Sequence, residues 1–118
     1  MFLEKAMEMF KYFKDSEIIG LDPGLVQMLD RAREYAEIPF VITSGYRSPE
    51  YETGKNRNPK GPHTTGRAVD LRCRNSNERF KILQALFYTG FTRIGDEKDH
   101  IHADICTDKD VNVVWLSP

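Results

Sequence analysis

The 118-residue chain holds three histidines, His63, His100 and His102. All lie near acids. His63 precedes Asp70 by seven positions, and His102 sits between Asp99 and Asp104. Imidazole nitrogens and carboxylate oxygens are ordinary zinc ligands, bound at roughly 2.0–2.2 Å in a tetrahedral site. A catalytic zinc takes three protein ligands and leaves the fourth position to water. His63, Asp70 and one of His100 or His102 meet that requirement. Gly66 lets the chain turn sharply after His63, so the six intervening residues can bring both side chains to one metal. If residues 100–104 are a strand, His100, His102 and Asp104 share one face, and either histidine can point at the metal. Asp99 falls where a turn can aim it at the bound water.

Each residue also has a plainer reading. His63 alone is a surface-loop residue. Asp70 can pair with Arg67, Arg72 or Arg47, and Arg47 can be a solvated charge after a strand. Tyr46 by itself reads as packing. The run from Lys55 to Lys60 reads as a solvated loop, or as a lid, because it leads directly into His63. Asp104 is either a surface residue or the carboxylate that takes the other ring N–H of a metal-bound histidine. The metal reading gains weight from Asp70, because an ionised carboxylate in an apolar strand is seldom buried without a partner or a metal.

The elements that must position these groups follow from periodicity. Residues 2–14 carry Phe2, Leu3, Ala6, Met7, Phe10 and Phe13 at helical spacing, a stripe for a core or an oligomer contact. Asp15-Ser16-Glu17 breaks it. Asp22-Pro23 reads as an N-cap and first helical residue, and Leu25, Met28, Leu29, Ala32 and Ala36 carry the stripe to about Glu37. Residues 39–43 predict a buried strand. Residues 50–65 predict a long irregular segment, broken by Gly54, Asn56, Asn58, Pro59, Gly61 and Pro62. Residues 66–71 predict a strand with Ala68 and Asp70 on one side and Val69 and Leu71 on the other. Asn75 caps a helix through Phe80, Leu83, Leu86 and Phe87 that Gly90 closes. Residues 91–94, 100–105 and 111–116 predict three short strands. The order implies an α+β fold, helices packed on a small, mostly antiparallel sheet, in a single domain over residues 1–118.

Composition excludes several classes. Seventeen Lys+Arg against eighteen Asp+Glu leave a net charge of -1, with no polybasic footprint for nucleic acid. No apolar run approaches the roughly 20 residues that cross a bilayer. Residues 1–8 mix charges among apolar residues and lack the continuous apolar stretch of a secretory signal. The expectation is synthesis in the cytoplasm, so that action outside it would need another means of release. Cys73 and Cys106 form no disulfide framework and no CxxC zinc site; they read as small buried hydrophobes.

Three segments, in order, resemble a known family: Ser44-Gly45-Tyr46-Arg47-Ser48, His63-Thr64-Thr65-Gly66-Arg67-Ala68-Val69-Asp70 and Asp99-His100-Ile101-His102-Ala103-Asp104. They look like the signatures of the zinc D-alanyl-D-alanine carboxypeptidases, peptidase family M15 with the hedgehog/DD-peptidase-like fold. That group includes D-Ala-D-Ala dipeptidases and phage L-alanyl-D-glutamate endopeptidases. The resemblance spans about residues 17–106. It implies that His63, Asp70 and His102 bind Zn2+ and that Asp99 is the general base. It also implies that Arg47 steadies the substrate or the developing oxyanion, with Ser44 and Tyr46 beside it in substrate binding. The implied substrate is a peptidoglycan stem peptide, cut next to a D-amino acid. Two departures stand out: Gly61 occupies a position that is often serine in the family, and Asp99 one that is often glutamate.

Two other classes compete. A binding module of the same fold could keep zinc without catalysis, as hedgehog-type domains illustrate; Asp99 together with Arg47 favours an enzyme. A 2H phosphoesterase would use His63-Thr64-Thr65 as one His-x-Thr element, but neither His100-Ile101-His102 nor His102-Ala103-Asp104 supplies the second hydroxyl.

Overall fold

Asp22 and Ser48 each stand directly before a proline, and each starts a helix. In the computed structural model, which describes residues 10–117, helix α1 is Pro23–Ala36 and the Asp22 carboxylate accepts the Gly24 N–H at 2.7 Å. Helix α2 is Pro49–Gly54, and the Ser48 hydroxyl accepts the Tyr51 N–H at 3.0 Å. Proline loses nothing at a first helical position, where its missing N–H would have no partner inside the helix. Helix α3, Ser76–Tyr88, opens on the Asn75 side chain, which accepts the Glu78 N–H at 2.9 Å.

Helix α2 corrects the expectation of an irregular segment over residues 50–65. The Ser48-Pro49 start acts before the first breaker, Gly54, where the helix ends. A 3₁₀ turn at Pro62–Thr65 adds further order and carries His63. The helix expected over residues 2–14 is also corrected in part. Residues 2–9 lie outside the described residues, and residues 10–14 are not helical. There the Asp30 carboxylate takes the Lys11 and Tyr12 N–H groups at 3.0 and 2.9 Å, in place of helical carbonyls, and Phe13 enters the core.

Among the described residues, five strands form one sheet: β1 Ile42–Ser44, β2 Ala68–Arg72, β3 Arg93–Asp96, β4 His100–Asp104 and β5 Val113–Leu116. Their order is β1-β2-β4-β3-β5, antiparallel except for the parallel β3–β5 pair. The architecture is the α+β arrangement expected. Strand β1 starts later than residues 39–43 suggest, although the Val41 carbonyl still accepts the Arg72 N–H at 2.8 Å. An irregularity in β1 places Ile42 opposite Leu71 and Ser44 opposite Asp70.

Alternation divides the sheet. Val69, Leu71, Ile94, Ile101 and Ala103 form a core with Leu25, Leu29, Ile82 and Leu86 of α1 and α3. Fully burying such a side chain contributes roughly 1.5–3 kcal/mol. Cys73 and Cys106 are buried and free. Asp70, His100 and His102 belong to the other set of alternating positions. Among the described residues, no helix is long and apolar enough to cross a membrane.

The turn at Gly66 joins these parts. Its φ is +73°, and a Cβ there would stand 2.2 Å from the Gly20 carbonyl oxygen. The Gly66 carbonyl in turn accepts the Asp22 N–H at 2.8 Å, tying the end of the His63 turn to the entrance of α1. Gly66→Ala is therefore expected to cost more than about 1 kcal/mol, from left-handed backbone and from the clash. Urea denaturation checks this; an unchanged midpoint would show that the turn yields freely.

Candidate metal centre

The register of the sheet assembles the site. Ser44 pairs with Asp70, Asp70 with His102, His102 with Gly95, and Gly95 with Trp115, so one row crosses all five strands. His63 reaches this row from the 3₁₀ turn. Ligand atoms of His63, Asp70 and His102 all lie within 4.8 Å of one another. Asp70 Oδ1 stands 3.1 Å from His102 Nδ1 and 3.4 Å from His63 Nε2.

The second nitrogen of each ring sets what the first can do. His63 Nδ1 lies 2.7 Å from the Gly45 carbonyl, which can only accept. Nδ1 therefore donates there, which leaves Nε2 as the ring nitrogen facing Asp70. His102 Nε2 lies 2.7 Å from Asp104 Oδ2, so it donates there and turns Nδ1 toward Asp70. Two ring nitrogens facing one carboxylate need a cation among them, either a proton or a metal. The donor set and the support behind each ring fit a metal with histidine and carboxylate ligands.

Charge distribution reports the same demand. Burial of His102 opposes its positive charge, but hydrogen bonds and charges from Asp104 and Asp70 outweigh burial and raise its pKa to about 9. Burial also works against ionised Asp70, yet His102 and His63 hold its carboxyl well below the usual carboxylate range. Asp104 is almost fully buried, with Oδ1 accepting Arg93 Nε at 2.7 Å and the Cys106 N–H at 3.1 Å. Asp104 thus stands behind the His102 ring, at its second nitrogen.

The other candidates lie around this cluster. His100 stays outside it: Nδ1 pairs with Asp99 and Nε2 with Glu97, each at 2.8 Å, and Nε2 is 4.0 Å from Asp70 Oδ2. Asp99 is the most open of the set, with a side chain 86% exposed and bonded to His100. It borders a cleft shared with Thr43, Arg72 and Lys98. Arg47 donates from one terminal nitrogen to Ser44 Oγ at 2.7 Å, and that nitrogen is 3.8 Å from Asp70 Oδ2. Its backbone N–H bonds the His63 carbonyl at 3.1 Å. Tyr46 is about half exposed and lies against Gly20.

Sequence reasoning missed three supports. Buried Glu52 pairs with both Arg47 and Arg57, which pins the segment after α2. The Ser48-Pro49 start was the signal that could have placed Glu52 on an ordered helix. Glu97 lies three residues before His100 in the β3–β4 turn, and Arg93 meets Asp104 across the same pair of strands, so both contacts depend on how that hairpin closes.

Comparison with known proteins bears on this geometry. The family described as peptidase M15 matches residues 6–104. The crystal structure of Serratia marcescens L-Ala D-Glu endopeptidase ChiX is similar in fold, with a TM-score of 0.57 and 20% identity. The match covers 80% of this chain and 86% of that one. No curated protein matches.

The pH dependence of the metal-free protein follows from His102. Its folded pKa is raised from 6.5 to about 9, so its stabilising contribution is complete below pH 6.5 and is lost as pH rises through about 9. Asp70 acts oppositely: its contribution is present above its ordinary value of 3.8 and is lost as pH falls toward its lowered folded value. Thermal melts of chelator-treated protein are expected to decline from pH 6.5 to 9, and the decline is expected to shrink in His102→Gln. The remainder comes from His100, where burial opposes the charge but Asp99, Asp70 and Glu97 still raise the pKa. An identical decline in that variant would assign it elsewhere.

Proposed function

The chain belongs to the peptidase M15 family, and from that membership we propose a zinc metallopeptidase that acts on peptidoglycan stem peptides. The bond cut is a peptide bond next to a D-amino acid, in the manner of a DD-carboxypeptidase or an L,D-endopeptidase. Peptidases of this family are typically metal-dependent. The observation that carries the reading is the convergence of His63, Asp70 and His102, two ring nitrogens and a carboxylate with supports behind both rings. The similar fold of an L-Ala D-Glu endopeptidase supports the substrate class.

In this reading His63, Asp70 and His102 hold Zn2+. Bound there, zinc would lower the pKa of a water to about 7 and polarise a carbonyl. Asp99 takes the proton of the attacking water and returns it to the leaving amine. The hydrogen bond from His100 holds its carboxyl below the ordinary value, so it is ionised and able to accept at neutral pH. Arg47, braced by Glu52 and Ser44, places positive charge beside Asp70 for a substrate oxygen or a developing oxyanion. Ser44 and Tyr46 would contact the substrate beside Arg47.

The position of Asp99, bonded to His100 outside the ligand cluster, favours one second reading: a metal-binding module without catalysis. Elemental analysis of protein purified without added metal, and mass spectrometry of digested peptidoglycan with and without chelator, separate the two. The enzyme predicts one zinc per chain and a chelator-sensitive new peptide terminus. The module predicts zinc and no cleavage.

Single variants sharpen this. His102→Ala is expected to lose zinc; if His100→Ala loses it instead, His100 is the ligand. Asp99→Ala is expected to keep zinc and lose roughly 10²–10⁴-fold in kcat, the usual span of general-base catalysis. Undiminished hydrolysis would remove Asp99 from that role.

A further inference from the structure

Trp115 is the one tryptophan of the chain, and it lies in β5, beyond the 6–104 stretch that matches the family. It also ends the row of residues that holds the metal-ligand candidates. The parallel β3–β5 register sets Trp115 beside Gly95, and the antiparallel β3–β4 register sets Gly95 beside His102. Residues two strands apart ordinarily stand roughly 9–10 Å from each other, twice the interstrand spacing. The Trp115 ring centroid is instead 5.3 Å from that of His102, tilted by 49°.

Gly95 makes that approach possible. A Cβ there would fall 2.5 Å from Trp115 Nε1 and 2.7 and 2.8 Å from two ring carbons. The indole therefore occupies the space that any side chain at position 95 would need. The same ring lies 5.3 Å from the Arg93 guanidinium carbon, and Arg93 Nε holds Asp104. One aromatic side chain thus touches both ends of the chain of contacts from His102 through Asp104 to Arg93.

We propose that Trp115 is a positioning residue of the metal centre. The indole leans across Gly95, shields the His102–Asp104–Arg93 contacts from water and holds the His102 ring with Nδ1 toward Asp70. Excluding water strengthens hydrogen bonds between charged groups, and groups that orient a ligand ring contribute to metal affinity. This rests on the metal reading above. It adds β5, outside the family match, to the parts that build the centre.

The single tryptophan supplies its own reporter. The full chain, freed of metal by chelation, is titrated with Co2+ while tryptophan emission and bound cobalt are both measured. Emission is expected to fall and to saturate at one equivalent, and His102→Ala is expected to abolish the fall. Trp115→Ala is expected to weaken cobalt binding about tenfold or more, with Trp115→Phe restoring most of it. Gly95→Ala keeps the reporter but displaces the ring; it is expected to shift emission and to weaken binding together. One equivalent of bound cobalt with unchanged emission would overturn the proposal. So would folded Trp115→Ala or Gly95→Ala protein with wild-type affinity. If the wild-type chain binds no cobalt and no zinc, the metal reading itself fails and the proposal falls with it.

Discussion

A carboxylate with an imidazole on either side is the constraint around which this protein is arranged. Asp70 is largely withdrawn from water, and an ionised carboxylate tolerates that only with positive charge at hand. His63 and His102 both turn nitrogen toward it. The Gly45 carbonyl behind one ring and the Asp104 carboxylate behind the other decide which nitrogen each presents. Moving the β2–β4 register by one residue would send either Asp70 or His102 to the opposite face and dissolve the cluster.

The sheet keeps chemistry and stability on separate faces. Aliphatic residues of β2, β3 and β4 meet α1 and α3 on one side, and charged residues occupy the other. The charges there come in linked sets: Arg93 with Asp104, Arg47 and Arg57 with Glu52, His100 with Glu97 and Asp99. Ion pairs in partly buried places contribute little net stability, because desolvation offsets attraction. Their consequence here is geometric. Arg93 fixes the Asp104 carboxylate behind His102, and Glu52 fixes the Arg47 guanidinium beside Asp70, and hydrolysis needs such orientation more than added stability.

The groups differ in their access to solvent in a way that suits their proposed roles. His63 and His102 are buried, whereas Asp99 is open and Arg47 partly so. Ligands gain from rigidity and dryness. A base and an oxyanion partner must reach a substrate that arrives from solvent.

Much of this was legible along the chain. Asp22-Pro23 and Asn75 mark helix starts through short-range hydrogen bonds, and the alternation of residues 66–71 assigns faces, because both are decided within a few residues. Residue types and spacing also picked out His63, Asp70 and the pair His100 and His102. Choosing between those two histidines needed either the family resemblance or coordinates, since both occupy the same strand face. Ser48-Pro49 was a readable start that the following glycines, asparagines and prolines masked. Arg93 as the partner of Asp104 and His102 as the partner of Trp115 were beyond sequence reasoning, because those side chains meet only once β3, β4 and β5 pair in their observed register. Local hydrogen bonding and periodicity are properties of neighbouring residues, so the sequence by itself determined the elements and the chemical candidates. Which side chains touch depends on how the faces pack and register, and only the tertiary structure decided that.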